Sequence, residues 1–149
     1  MNKIVLFFSS AFGVGYIKYA PGTFGSLVGV LLWSLFVPNI YLLQVFLLAA
    51  VFVISILFSS MAEEIYRKKD DRRIVIDEVV GMWVSIAFLP KTFIFLFLGF
   101  ILFRILDIEK TWFIKKSQNF RSGLGITMDD ILAGIFVNVI LQFVKFLFY

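Results

Sequence analysis

Long apolar segments alternate with short polar connectors along this chain of 149 residues. The composition is 61% hydrophobic and only 16% charged, and it includes 20 phenylalanines, which is outside the usual range of soluble globular domains. Because an α-helix rises about 1.5 Å per residue, about 20 apolar residues cross the hydrocarbon core of a bilayer. The pattern therefore predicts an integral membrane protein, and the chain length predicts a single domain over residues 1–149.

Six apolar segments define the expected helices, and two of them are long enough to cross a bilayer easily. We predict an all-α integral membrane bundle of about six helices, with four or five crossing or nearly crossing the bilayer. The first segment superficially resembles a secretion signal, but it lacks a clear cleavage site before Tyr16, so we expect it to be retained. The segments cover residues 4–14, 24–37, 40–60, 74–89, 92–106 and 131–148.

The positive charges are unevenly distributed between the connectors. If the long segments cross the bilayer, almost all Lys and Arg side chains fall on one side, and the opposite side holds Lys91 and Lys145. The positive-inside rule places the basic side in the cytoplasm. The net charge of +4 mainly reflects this orientation, so we do not expect nucleic-acid binding. Nothing in the composition predicts an oligomeric state.

Two pairs of adjacent acids open apolar runs on the same predicted face: Asp77-Glu78 and Asp129-Asp130. A carboxylate at the mouth of a membrane helix carries a desolvation cost and requires a partner or a function. Helix capping is one explanation, with Thr127 as N-cap and Asp130 three residues later. Capping explains one acid of each pair better than two, so the four acids also suggest a divalent-cation site.

The chain contains no His and no Cys, which excludes thiolate nucleophiles and the commonest general base. A bound metal would therefore be a hard cation with oxygen ligands, such as Mg²⁺, Mn²⁺ or Ca²⁺. For a phosphatase, the remaining chemistry is a metal-activated water directed at a phosphate.

Two further patterns could bind that phosphate. Thr23 is a predicted N-cap with Ser26 inside the first helical turn, and a helix start can hold an anion or simply form a turn and a cap. Arg104, Asp107 and Lys110 recur at a spacing of three on one helix face. They fit either a ladder of salt bridges or a phosphate site in which Asp107 orients a base or binds metal.

At these motifs the chain resembles the phosphatidylglycerophosphatase A family of bacterial membrane enzymes. The motifs occur in the family's order and at its approximate spacing, so their combination is more specific than any single one. The matching stretches are APGTFGS at 20–26, IVIDEVVGMW at 74–83, FRILDIEK at 103–110 and GLGITMDDILAG at 123–134.

The resemblance implies Mg²⁺-dependent hydrolysis of phosphatidylglycerophosphate to phosphatidylglycerol and phosphate in phospholipid biosynthesis. It places a multi-pass enzyme in the bacterial inner membrane with its active site at the cytoplasmic face. It also implies an acid on the helix before Ile74, for which Glu63 and Glu64 are candidates. The chain departs from the family at Lys110-Thr111-Trp112-Phe113, where Lys-Pro-Trp-Pro is common.

Our hypothesis assigns a role to each motif. A metal-activated water would attack phosphorus with Asp107 as base, whereas a Thr23 nucleophile would lack an adjacent base. The predicted Mg²⁺ ligands are Asp77, Glu78, Asp129 and Asp130, and the predicted phosphate ligands are Thr23, Ser26, Arg104 and Lys110.

A small cation transporter or channel subunit is the alternative, with the paired acids lining an ion path. Such a path should have acids at mid-depth or on both sides of the membrane. The predicted placement of nearly all acids on one side favours a one-sided catalytic pocket.

Overall fold

A computed structural model describes residues 2–109 and 123–148. These residues form six α-helices and one 3₁₀ turn and contain no β-strand, which confirms the all-α prediction. In chain order the elements are α1 (Asn2–Ser9), the 3₁₀ turn (Val14–Tyr16), α2 (Pro21–Phe36), α3 (Tyr41–Tyr66), α4 (Ile76–Ile86), α5 (Phe93–Glu109) and α6 (Gly123–Phe148).

Helices α3 and α6 are each long and apolar enough to cross a membrane. Helix α3 has 26 residues and continues past the predicted end at Ser60 into the charged connector. It ends where Arg67 adopts a left-handed conformation with φ of 52°. Few residues in the most apolar stretch of either helix are buried inside the bundle, 17% in α3 and 22% in α6.

Both predicted N-caps are wrong. Helix α2 begins at Pro21 with Ala20 as its N-cap, so Thr23 is the third residue of the helix. Proline suits the first helical position because the missing N–H would have no partner there in any case. The described part of α6 begins at Gly123, so Thr127 and Asp130 lie inside the helix. The Thr127 hydroxyl bonds instead to the Ser55 hydroxyl of α3 at 3.0 Å.

Helix α4 lies at the centre of the bundle and packs against α2, α3, α5 and α6. It crosses α6 at two glycines. A Cβ atom on Gly134 would lie 2.5 Å from the Gly81 carbonyl oxygen, and one on Gly81 would lie 2.7 Å from the Asp130 carbonyl oxygen. Only glycine therefore permits this separation of the two backbones.

The C-terminal end of α4 is buried within the bundle. Its 11 residues cover only about half the thickness of a membrane core at about 1.5 Å per residue. Buried carbonyls that follow the last turn need hydrogen-bond partners. Helix α6 supplies these donors: the Asn138 amide donates to the carbonyls of Ser85 and Ala87, at 3.2 and 2.8 Å, and Lys145 donates to that of Phe88 at 3.2 Å.

We expect Asn138→Ala to lower the thermal stability of the protein without abolishing its activity. The variant removes the Asn138 donor from the Ser85 carbonyl and the nearer of two side-chain donors from the Ala87 carbonyl, which keeps Gln142 at 3.3 Å. An unsatisfied buried polar group costs about 1–3 kcal/mol. The melting temperature of the detergent-solubilised protein measures the effect. Val139→Ala, which shortens an exposed neighbour on the same helix, is the control. Equal melting temperatures for the two variants would contradict the capping role.

Candidate active site

Three carboxylates meet where the first turn of α4 approaches α6. One oxygen each from Asp77, Glu78 and Asp130 lies within 4.8 Å of the other two. Asp77 and Asp130 are each only 4% exposed. Glycines 81 and 134 follow Asp77 and Asp130 by one helical turn, so the close glycine crossing sets the separation of the acids.

Each of these three acids also has a buried oxygen without a hydrogen-bond partner: Asp77 Oδ1, Glu78 Oε2 and Asp130 Oδ2. Buried polar atoms are normally paired, and carboxylates this close together repel one another. A divalent cation would satisfy the unpaired oxygens and offset the negative charges. The donors are all carboxylate oxygens, which Mg²⁺ prefers. The arrangement therefore fits the predicted cation.

A cavity of about 580 Å³ opens beside the carboxylates. Asp129 is 3% exposed and lines this cavity, although it lies outside the group of three. The structure thus brings together three of the four predicted metal ligands, and the fourth, Asp129, lines the same cavity. The cavity is lined by Lys69, Asp70, Arg72, Ile74, Asp77, Glu78, Asp107, Ile108, Gly125, Ile126, Asp129 and Asp130.

Arg104 and Asp107 form an ion pair on α5. Arg104 Nη1 donates to Asp107 Oδ2 at 2.6 Å, and both side chains are 13% exposed. Ser26 supports the pair from α2, since its hydroxyl lies 3.4 Å from Arg104 Nη1 and itself donates to the Gly22 carbonyl at 2.9 Å. The Arg104 Nε–H is buried without a partner. Asp107 therefore lines the cavity, whereas Arg104 is not among the described residues that line it and keeps one N–H donor without a partner.

The first turn of α2 reaches the carboxylates through Gly22 rather than Thr23. A Cβ on Gly22 would collide with the Glu78 carboxylate and approach Arg104 Nη1 at 3.4 Å. Thr23 is half-buried in the same turn, and neither it nor Ser26 is among the described residues that line the cavity. Lys110 lies outside the described residues.

Of the two candidate acids before Ile74, Glu63 is buried and Glu64 is exposed. Glu63 Oε1 accepts a hydrogen bond from the Asp70 backbone N–H at 2.8 Å, so it anchors the connector between α3 and α4. From the sequence, the basic side chains of this connector were assigned mainly to membrane orientation. Two of them, Lys69 and Arg72, line the cavity.

Comparisons with known proteins identify the family of this chain. The family model of phosphatidylglycerophosphatase A matches residues 7–145. A putative phosphatidylinositol-3-phosphatase of Bacteroides thetaiotaomicron is 31% identical over 145 residues, covering 89% of this chain and 87% of the relative. Phosphatidylglycerophosphatase A of Escherichia coli K12 is 36% identical over 138 residues, covering 89% and 78%.

The corresponding phosphatidylglycerophosphatase A of Haemophilus influenzae is 32% identical over 141 residues, covering 91% of this chain and 85% of the relative. No solved structure matches the chain. The family match spans all four sequence motifs and every residue of the carboxylate cluster. The chain therefore belongs to the phosphatidylglycerophosphatase A family and is a phosphoric monoester hydrolase.

Proposed function

We propose that this protein hydrolyses phosphatidylglycerophosphate to phosphatidylglycerol and phosphate in a Mg²⁺-dependent reaction. The observation that carries the proposal is the close group of Asp77, Glu78 and Asp130, each with a buried oxygen that has no hydrogen-bond partner, in a chain of this family. These acids, with Asp129 beside them, would hold the cation. Bound Mg²⁺ would activate water for attack on phosphorus and offset negative charge on the phosphate.

The chain's own residues orient the reactants in this proposal. Asp107 lies at the cavity wall and would accept the proton of the attacking water. A carboxylate is the general base we assign, because the chain contains no His. Arg104 keeps Asp107 in place through their ion pair and would add positive charge to the phosphate site. Lys110 and the first turn of α2, with Thr23 and Ser26, would complete the phosphate site.

We further propose a multi-pass protein of the inner membrane with this site at the cytoplasmic face. Support comes from the two long apolar helices and from the basic connector beside the cavity. Lys91 and Lys145 are the cations expected on the far side. Lys91 donates to the Val37 carbonyl just after α2, and Lys145 donates to the Phe88 carbonyl just after α4. The family assignment favours this enzyme over the cation transporter that the sequence left as an alternative.

The test is phosphate release by the purified protein in neutral detergent. We expect turnover of phosphatidylglycerophosphate with Mg²⁺ and loss of turnover when a chelator removes it. Phosphatidylinositol 3-phosphate is the comparison substrate, because one relative carries the name of a phosphatase for that lipid. Failure to release phosphate from phosphatidylglycerophosphate at any Mg²⁺ concentration would refute the proposal. Faster turnover of phosphatidylinositol 3-phosphate would identify that lipid as the preferred substrate instead.

A further inference from the structure

Helix α1 has one buried side and one exposed apolar side. It is eight residues long, about 12 Å at about 1.5 Å per residue, so the described helix covers less than half of a hydrocarbon core of about 30 Å. Val5 is buried in a cluster with Ala62 of α3. Ile4, Phe7 and Phe8 are exposed on the other side, where a spacing of three or four residues brings side chains together. The described residues leave this apolar face largely uncovered.

The turn after α1 adds a third phenylalanine to the same face. Ala11, Phe12 and Gly13 follow one another with positive φ angles of 46°, 63° and 95°, a conformation that is strained for the first two. The Phe12 N–H donates to the Phe7 carbonyl at 2.8 Å and holds the turn closed. The Phe12 ring lies 5.4 Å from the ring of Phe7 and 6.0 Å from that of Phe8, yet it is 50% exposed. The strained turn therefore gathers aromatic rings on the outside of the bundle.

Water is a poor surrounding for this aromatic face. The strain and the exposed apolar area would both be unfavourable there, whereas an apolar surrounding would remove the area from water. The face is also continuous with α3, one of the two helices apolar enough to cross a membrane. The Phe8 ring lies 5.3 Å from the Phe58 ring of α3, and the neighbouring Leu57 and Met61 are exposed. One lipid surface would thus cover both helices.

The polar residues of this segment belong to the types found among lipid headgroups. Residues 2–19 contain Lys3 and Lys18, both exposed, and no acid. Lys18 Nζ lies 5.4 Å from the centre of the Tyr19 ring, and Tyr16 and Tyr19 are exposed. Tyrosine is enriched at membrane–water interfaces, and exposed cations are attracted to lipid phosphates. The segment therefore matches the boundary of a bilayer better than its interior.

The same segment is tied to the wall of the candidate active site. The Val75 N–H donates to the Ser9 carbonyl at 2.9 Å. Gly15 lies so close to the Arg73 carbonyl that a Cβ atom would collide with it. Between these two contacts, Ile74 lines the cavity, and α4 begins directly afterwards. The depth of the segment in a membrane would therefore also determine the depth of the cavity.

We propose that residues 2–19 form an interfacial anchor, which lies in the surface of a lipid leaflet and does not cross it. The rings of Phe7, Phe8 and Phe12 lie at the boundary between headgroups and acyl chains, and Lys3 lies among the headgroups. This inference rests on the proposed membrane placement and adds to it the element that sets the level of the site. Because the anchor contacts the start of α4, the cavity is held at the level of the lipid phosphates.

The experiment measures the depth of the anchor with spin labels in the full-length protein. The chain has no native Cys, so a single introduced cysteine carries the label. The test variants are Phe7→Cys and Phe12→Cys, prepared separately. Val53→Cys, at an exposed position within α3, is the control for the bilayer interior, and Glu64→Cys, at an exposed position near the end of α3, is the control for water.

Each labelled protein is placed in nanodiscs of phosphatidylcholine and phosphatidylglycerol. Collision of the label with oxygen, which concentrates among acyl chains, is compared with collision with a water-soluble nickel chelate. We expect both anchor labels about 5–10 Å below the headgroups, the depth typical of interfacial helices. Their nickel collision rates should lie between those of the two controls. A single monodisperse species with a cooperative melting transition establishes that each variant is folded.

Two results would overturn the proposal. Either anchor label could collide with nickel as often as the Glu64 label, which would place the segment in water. Either label could instead lie as deep as the Val53 label, which would place the segment inside the bilayer. A Val53 label that nickel reaches as readily as the Glu64 label would refute the proposed membrane placement itself. The phosphate-release assay tests the proposed activity separately, so these failures are distinguishable.

Discussion

Asp130→Asn is expected to reduce phosphate release from phosphatidylglycerophosphate by more than about 100-fold, because losing even an outer-shell group at a metal site costs about 10–100-fold. The substitution keeps the shape of the side chain but removes one of three carboxylates that lie within 4.8 Å of one another. The initial rate of phosphate release at saturating Mg²⁺ measures the effect.

The same substitution should not destabilise the protein in the absence of metal. Removing one negative charge relieves repulsion among buried carboxylates, so we expect a melting temperature equal to or above that of wild type in chelator. Asp70→Asn is the control, because Asp70 also lines the cavity but is exposed at its mouth. A folded Asp130→Asn protein with more than about a tenth of wild-type turnover would contradict the metal-site assignment, since that loss is far below the expected effect.

Gly134→Ala is expected to disrupt the site from a distance of one helical turn. The added methyl group would lie 2.5 Å from the Gly81 carbonyl oxygen, so α4 and α6 must move apart. Overpacking of this kind typically costs about 1–3 kcal/mol of stability. The same movement separates Asp77 from Asp130, and we expect turnover to fall more than about tenfold, because displacements of about 1 Å can cost about 100-fold in a positioned site.

Gly99→Ala separates the two effects of Gly134→Ala. A Cβ on Gly99 would also be overpacked, at 2.6 Å from Ile86 Cγ2, but this contact involves a side chain at the opposite end of α4 from the acids. We expect a lower melting temperature with turnover close to that of wild type. Equal losses of turnover in the two alanine variants would show that the glycine crossing has no special role in setting the site.

Much of the fold followed from hydrophobic pattern. The helices were predictable because each is a continuous apolar run with a polar or Pro-containing boundary, and their observed bounds differ from the prediction mainly at the ends. Some ends were wrong where a polar residue continues a helix, and others where the helix stops before the apolar run does, as at Ser9 and Ile86. Glu63 belongs to α3 because its buried side chain anchors the connector, and Thr127 lies inside α6 because its hydroxyl pairs with Ser55.

The acids were predictable as a group because a carboxylate next to a long apolar run is unusual and demands a partner. Which of the four acids form the group of three was not predictable. Asp130, and not Asp129, joins Asp77 and Glu78, one helical turn from the close crossing of Gly81 and Gly134. The positions of Lys69 and Arg72 along the cavity wall were also hidden, since in sequence they are two members of a basic run.

Thermal unfolding of wild type and Asp77→Asn across a Mg²⁺ titration tests the central claim most directly. A ligand that binds only the folded state raises stability as its concentration exceeds the dissociation constant. We predict that the melting temperature of wild type rises with Mg²⁺ over the range in which turnover becomes saturated, and that Asp77→Asn shows no rise. Two results would contradict the account. One is a wild-type melting temperature that does not change with Mg²⁺ while turnover depends on Mg²⁺, and the other is an Asp77→Asn melting temperature that rises with Mg²⁺ as much as that of wild type.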